Sequence, residues 1–108
     1  MPTIRFLPIF SALALALCGP ALADEAKIAA GKQLAIQECS GCHRIDGAPA
    51  PTRGGAPGFA DIAKMPSATM LSIRVFLRSS HRNKTMPNII LSDKDIDVLA
   101  NYILSLKK

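Results

Sequence analysis

The feature that most constrains this chain is the run Cys39-Ser40-Gly41-Cys42-His43, two thiols three residues apart followed at once by an imidazole. Two cysteines at that spacing can each add to one vinyl group on adjacent edges of a porphyrin. The next residue can then bring its ring beneath the iron as the proximal ligand. Three other chemistries use parts of the pattern. A thioredoxin-like CxxC opens a helix after a strand in a longer α/β domain, and neither the strands nor the length are present. A zinc site needs a fourth ligand, and the only other histidine, His81, lies far outside finger spacing. A plain disulfide would leave His43 without a purpose. Covalent haem attachment through Cys39 and Cys42, with His43 on the iron, accounts for all three residues.

The rest of the chain leaves room for little else. At 108 residues, 11.5 kDa and no tryptophan it makes one small domain, which excludes separate cofactor and substrate domains. Its 49 % hydrophobic content is rich for that size, and much of it sits at the N-terminus. Arg5 precedes an apolar stretch from Phe6 to Leu17, followed by Cys18-Gly19-Pro20 and a small-x-small site, Ala21-Leu22-Ala23. That is the anatomy of a secretory signal, too short to span a bilayer comfortably. Residues 1–23 are thus expected to be removed, leaving 24–108 as a single domain without stable membrane insertion. An uncleaved anchor and a lipoprotein acylated on Cys18 are the other readings, and Leu17 stands where lipoprotein processing requires a small residue. Export implies a bacterial periplasmic location, where an even pair of cysteines would ordinarily suggest a disulfide.

What fills the other side of the iron decides between electron transfer and ligand chemistry. The candidates are Met65, Met70, Met86 and His81. Met86 precedes Pro87 in an irregular segment, Arg82 to Asn88, with enough chain after His43 to pass around a haem edge. Met65 also precedes a proline, but stands just before an expected N-cap at Ser67 and reads as a staple residue at a helix entrance. Met70 falls inside that helix and reads as core. His81 would give bis-histidine ligation and a lower potential. Met86 is the preferred ligand.

The mature chain reads as all-α, helices separated by loops, with no strand pattern. Asp24 and Glu25 are expected to open the first helix, which runs through Ile28, Gly31, Leu34 and Ala35 to about Glu38. Gly31 in mid-helix costs about 1 kcal/mol relative to alanine, a sign of close approach by another helix. Seven of the thirteen residues 46–58 are Gly or Pro, which describes a loop around the haem edge. Phe59 to Ala63 suits a short helical turn. Ser67 is expected to cap a helix to about Ser79, with Met70, Ile73, Val75 and Leu77 supplying apolar surface and Arg74 and Arg78 marking its wet side. In the last helix Ser92 and Asp95 make a capping box and Leu91 and Ile96 a staple. Ile96, Leu99, Ile103 and Leu106 recur at helical spacing, and Lys107 and Lys108 suit the negative end of the dipole. Its apolar stripe is expected to pack on the first helix, with Gly31 admitting Leu99 or Tyr102.

In this order of features the chain resembles the class I c-type cytochromes, specifically the short single-haem proteins of the bacterial periplasm. The shared elements are the Gly31-bearing helix, CxxCH at 39–43, a proline loop, a methionine loop at Met86 and a Leu99-x-x-Tyr102 terminal helix. The resemblance implies the cytochrome c fold, three to four helices wrapped around one covalently attached haem c, with the N- and C-terminal helices packed together. It also implies that the proximal histidine donates its second nitrogen to a loop carbonyl, a position best matched by Pro57. Two departures stand out: Ala35 replaces an aromatic at the helix contact, and no tryptophan is available for a haem propionate.

The function that follows is outer-sphere transfer of single electrons, not enzymatic turnover. No catalytic constellation emerges, since the acids Asp93, Asp95 and Asp97 belong to a helix start. A haem also supplies a core that Phe59, Phe76 and Tyr102 leave thin, so the apoprotein is expected to be largely unfolded. No acidic residue falls between Asp61 and Asp93, whereas Lys64, Arg74, Arg78, Arg82 and Lys84 do. A basic rim there would steer docking to acidic surfaces on redox partners such as a dehydrogenase, a quinol-oxidising complex, an oxidase or a reductase. Nucleic acid is not indicated, because no aromatic platform interleaves the basic residues. The expected protein is a monomeric periplasmic carrier. The alternatives are a dedicated subunit of one oxidoreductase complex, or a haem sensor or gas-binding protein in which Met86 leaves the iron open.

Overall fold

The computed structural model describes residues 2–4, 20–79, 86–87 and 89–108. The apolar stretch of the expected export signal, with Arg5 and Cys18, lies outside the described residues, as do His81, Arg82 and Lys84. The described residues form four helices and no strand: α1 (Pro20–Glu38), α2 (Phe59–Lys64), α3 (Met70–Arg78) and α4 (Asp93–Ser105). The family-type architecture is present, with α1 packed along α4 and α2 and α3 also resting on α4.

The contact between the terminal helices is decided by size. Ile28, Gly31, Ala35 and Cys39 recur at intervals of three and four, so they form one stripe along α1. Gly31 and Ala35 are buried. A Cβ at Gly31 would lie 1.9 Å from the Val98 carbonyl oxygen and 2.7 Å from the Tyr102 Cβ. The close approach inferred from a mid-helix glycine is therefore present, and Tyr102 is one of the two neighbours expected. The other is the backbone of Val98, because Leu99 points into the core, where it is 1 % exposed. Ala35 is fully buried, and its small side chain lets the two helices run close.

Helix α1 begins at Pro20, four residues before Asp24. Ala21, Leu22 and Ala23 are strong helix formers, so in the full-length chain the helix runs through the expected cleavage site. Helix α3 is capped by Thr69 and not by Ser67. The Thr69 Oγ1 accepts from the Ser72 amide at 3.1 Å, and the Ser72 Oγ accepts from the Thr69 amide at 2.9 Å. Ser67 contributes its carbonyl, to which the Ser72 hydroxyl donates at 2.7 Å. Two short hydroxyl side chains three residues apart can satisfy each other's amides, a pairing the usual Glu or Gln signature does not reveal. The box expected at α4 is present, with Ser92 Oγ accepting from the Asp95 amide at 3.1 Å and Asp95 Oδ2 from the Ser92 amide at 3.2 Å.

On α3 the inward face is Met70, Ile73 and Leu77, at intervals of three and four. Val75 and Phe76 lie off that stripe and are 57 % and 53 % exposed, so neither supplies the core surface expected of it. Arg74 and Arg78 lie on the wet side as expected, 43 % and 67 % exposed, but both also find acids there. The Arg74 guanidinium hydrogen-bonds Asp97, and Arg78 Nη2 reaches Asp93 Oδ1 at 2.8 Å, both across to α4. Lys27 of α1 completes a cluster on Asp97, Nζ to Oδ2 3.0 Å. Beyond α4, Lys107 reaches back to the Ala68 carbonyl at 3.4 Å.

Candidate functional site

The α1 stripe that packs on α4 delivers Cys39 at its end. The helical winding carries on briefly past Glu38, since the Cys39 amide bonds to the Ala35 carbonyl at 2.8 Å and the His43 amide to the Cys39 carbonyl at 2.9 Å. That tight turn fixes both thiols and the imidazole relative to the helix. Two backbone bonds then tie the Gly/Pro loop to it, Arg53 N to Gly41 O and Phe59 N to Arg44 O, each 3.1 Å.

His43 is 8 % exposed, and its Nδ1 lies 2.7 Å from the Pro57 carbonyl oxygen. A carbonyl only accepts, so the proton sits on Nδ1 and the lone pair on Nε2 is left to bind a metal. The Phe59 ring, 5.2 Å from the imidazole centroid and tilted 57° to it, packs against His43, and Tyr102 stands behind Phe59 at 6.3 Å. The packing of Phe59 on His43 is not legible in the sequence, where Phe59 reads as the start of a short helix and one of three aromatics of a thin core. Its place two residues after Pro57 was the available clue. The Tyr102 hydroxyl is buried without a hydrogen-bond partner among the described residues, and burial, then the Asp46 charge, pushes its pKa up.

Cys39 and Cys42 are both half-buried and neither is in a disulfide. Burial, then the Glu38 carboxylate and Cys42, push the Cys39 thiol up to about 11, so it is neutral at ordinary pH. Cys39 lines a narrow cleft of about 30 Å³ whose other walls include Phe59, Leu77, Met86, Leu99 and Ile103. Apart from Glu38 the lining is entirely apolar. Cys42 lines a second, more open hollow, of about 380 Å³, with Arg44, Arg53, Pro57 and Asp61 of the loop. Of the methionines weighed as ligands, only Met86 faces the apolar cleft. Met65 caps the end of α2 and is 43 % exposed, while Met70 packs against the core. His81 lies outside the described residues.

A family model for cytochrome c matches residues 28–107. The chain belongs to the cytochrome c family. No curated protein and no solved structure matches it. The cofactor of a cytochrome c with a single CxxCH is one covalently bound haem c. The residues present fit it: two unpaired thiols at the required spacing, an imidazole with one nitrogen already engaged, and an apolar cleft beside them. No group of three or more His, Cys, Asp or Glu that could hold a metal ion gathers among the described residues. No helix of the described residues is long and apolar enough to cross a membrane. Cytochromes c are haem-based electron carriers, and that is the general function of this chain.

Proposed function

We propose that this cytochrome c is an exported, periplasmic mono-haem carrier whose iron is held by His43 on one side and Met86 on the other. The observation that carries the reading is that Met86, from the segment between α3 and α4, lines the same apolar cleft as Cys39, which ends the α1 stripe. Haem c supplies a one-electron iron couple. The protein holds it through thioether bonds from Cys39 and Cys42. The Pro57 carbonyl fixes the His43 tautomer and raises its basicity. Phe59, Leu99 and Ile103 line the apolar cleft beside Cys39 and would exclude water there. His43 and Met86 would hold the iron from the protein, so that a one-electron change would call for little rearrangement of these side chains.

The deciding experiment is the absorption spectrum of the oxidised protein, in wild type and in Met86→Ala. Sulfur ligation gives a weak band near about 700 nm. The band is expected in wild type and absent from the variant, and its absence from wild type would instead favour a haem sensor or gas-binding protein.

Docking on acidic surfaces of redox partners is part of the same proposal, with an adjusted surface. Arg74 and Arg78 are engaged with Asp97 and Asp93, so steering rests on Lys64, Arg82 and Lys84. Reduction by a partner should slow steeply as salt rises.

A further inference from the structure

Helices α3 and α4 flank residues 79–92, and Met86 belongs to that segment. Arg78 is the last residue of α3 and Asp93 the first of α4, and their side chains meet at 2.8 Å. One helical turn farther from the segment on each side, Arg74 meets Asp97. The two ion pairs are thus successive rungs between the helices, four residues apart on both. Asp97 also accepts from Lys27 Nζ of α1 at 3.0 Å and from Asn101 Nδ2 at 3.3 Å. Its side chain is 26 % exposed, against 87 % for Asp93.

We propose that the Arg78–Asp93 and Arg74–Asp97 pairs are positioning devices for Met86, holding the two ends of its segment together so that the thioether resists displacement from the iron. The proposal rests on the ligation reading above. A thioether is a soft donor that competes poorly with nitrogen ligands for ferric iron, so modest restraints on its segment tip the balance. Fixing the two ends reduces the conformations open to a detached segment, and that entropy gain is what an incoming ligand must otherwise exploit. An exposed ion pair changes such an equilibrium by up to about fivefold, and salt reduces the effect.

The test is imidazole affinity of the ferric holoprotein, followed by the Soret shift and by loss of the band near about 700 nm. In Arg74→Gln/Arg78→Gln the affinity should rise about fivefold at low salt. Wild type in about 1 M salt should move part of the way towards it. Lys27→Gln serves as the control, since it breaks a pair to the same Asp97 but leaves both rungs. It should lower thermal stability while imidazole affinity stays at the wild-type value. The proposal is overturned if the double variant binds imidazole as wild type does, or if Lys27→Gln raises the affinity equally. If wild type lacks the band, or Met86→Ala binds imidazole no more tightly than wild type, the ligation reading itself fails and takes the proposal with it.

Discussion

Gly31 and Val98 meet backbone to backbone: a side-chain carbon on Gly31 would stand 1.9 Å from the Val98 carbonyl oxygen and 2.6 Å from its carbon. Alanine is the better helix former by about 1 kcal/mol, so on propensity alone Gly31→Ala should stabilise α1. Here the added methyl meets rigid helix backbone, and the two helices must separate. Overpacking of that kind costs about 1–3 kcal/mol or more. Gly31→Ala is therefore expected to lower the melting temperature of the holoprotein, by about 5–15 °C. A far-UV circular dichroism melt checks it, and an unchanged or higher midpoint would show that α1 and α4 are not in this contact.

Asp97 makes stability depend on acid pH. Its hydrogen bond from Lys27, followed by the charges of Lys27 and Arg74, holds the carboxyl below its ordinary value, against the opposing effect of burial. A carboxyl with a lowered folded pKa contributes stability in full above its unfolded pKa of about 4, and loses it as pH falls through the folded value. Asp97→Asn should cost about 1 kcal/mol at pH 7, the partners being substantially exposed. The gap between variant and wild type should close below about pH 4. Denaturant melts across that range measure it.

The His43–Pro57 hydrogen bond sets the electron donation of the imidazole. A stronger acceptor on Nδ1 makes the ring more basic and favours ferric iron. Pro57→Ala keeps a carbonyl but frees the backbone of a loop that is Gly54-Gly55 on one side and Gly58 on the other. The bond should lengthen and the reduction potential rise, by at most about 40 mV if a whole hydrogen bond of about 1 kcal/mol is lost from the ferric form. Spectroelectrochemistry reads the shift, and a fall in potential would contradict the argument.

The core has few large members. Among the described residues only Ile45 and Leu99 rank as large side chains under 2 % exposed, and the cleft between the four helices is walled with apolar groups that need a partner. In Cys39→Ala/Cys42→Ala, covalent haem should be absent and most of the cooperative unfolding transition lost. Calorimetry of that variant is the check. A transition matching the holoprotein would mean the helices sustain themselves.

Much of the site was legible because its chemistry depends on local order. Cys39, Cys42 and His43 are adjacent in sequence and in space, and the Ser92–Asp95 box reads directly from the residues that form it. The mid-helix Gly31 likewise announced a close contact. The cap of α3 was misplaced at Ser67, since Pro66 and Ser67 offer a stronger local pattern than the Thr69–Ser72 exchange that forms. Arg74 and Arg78 read correctly as the wet side of α3, but their acidic partners are not legible there because those lie on another helix. Their four-residue spacing is mirrored by Asp93 and Asp97, a correspondence that acquires meaning only once α3 is known to lie beside α4.

By itself the amino-acid order determined the helical periodicities, the haem-attachment motif and the demand of a glycine for a close neighbour, all matters of spacing within one element. The tertiary structure alone decided that the glycine also meets the Val98 backbone, which ring packs on His43 and where the arginines of α3 find their acids. Those outcomes depend on the distance between helices, which no run of residues encodes locally. It is set when Gly31 and Ala35 let α1 settle against α4 and the other elements close around the pair.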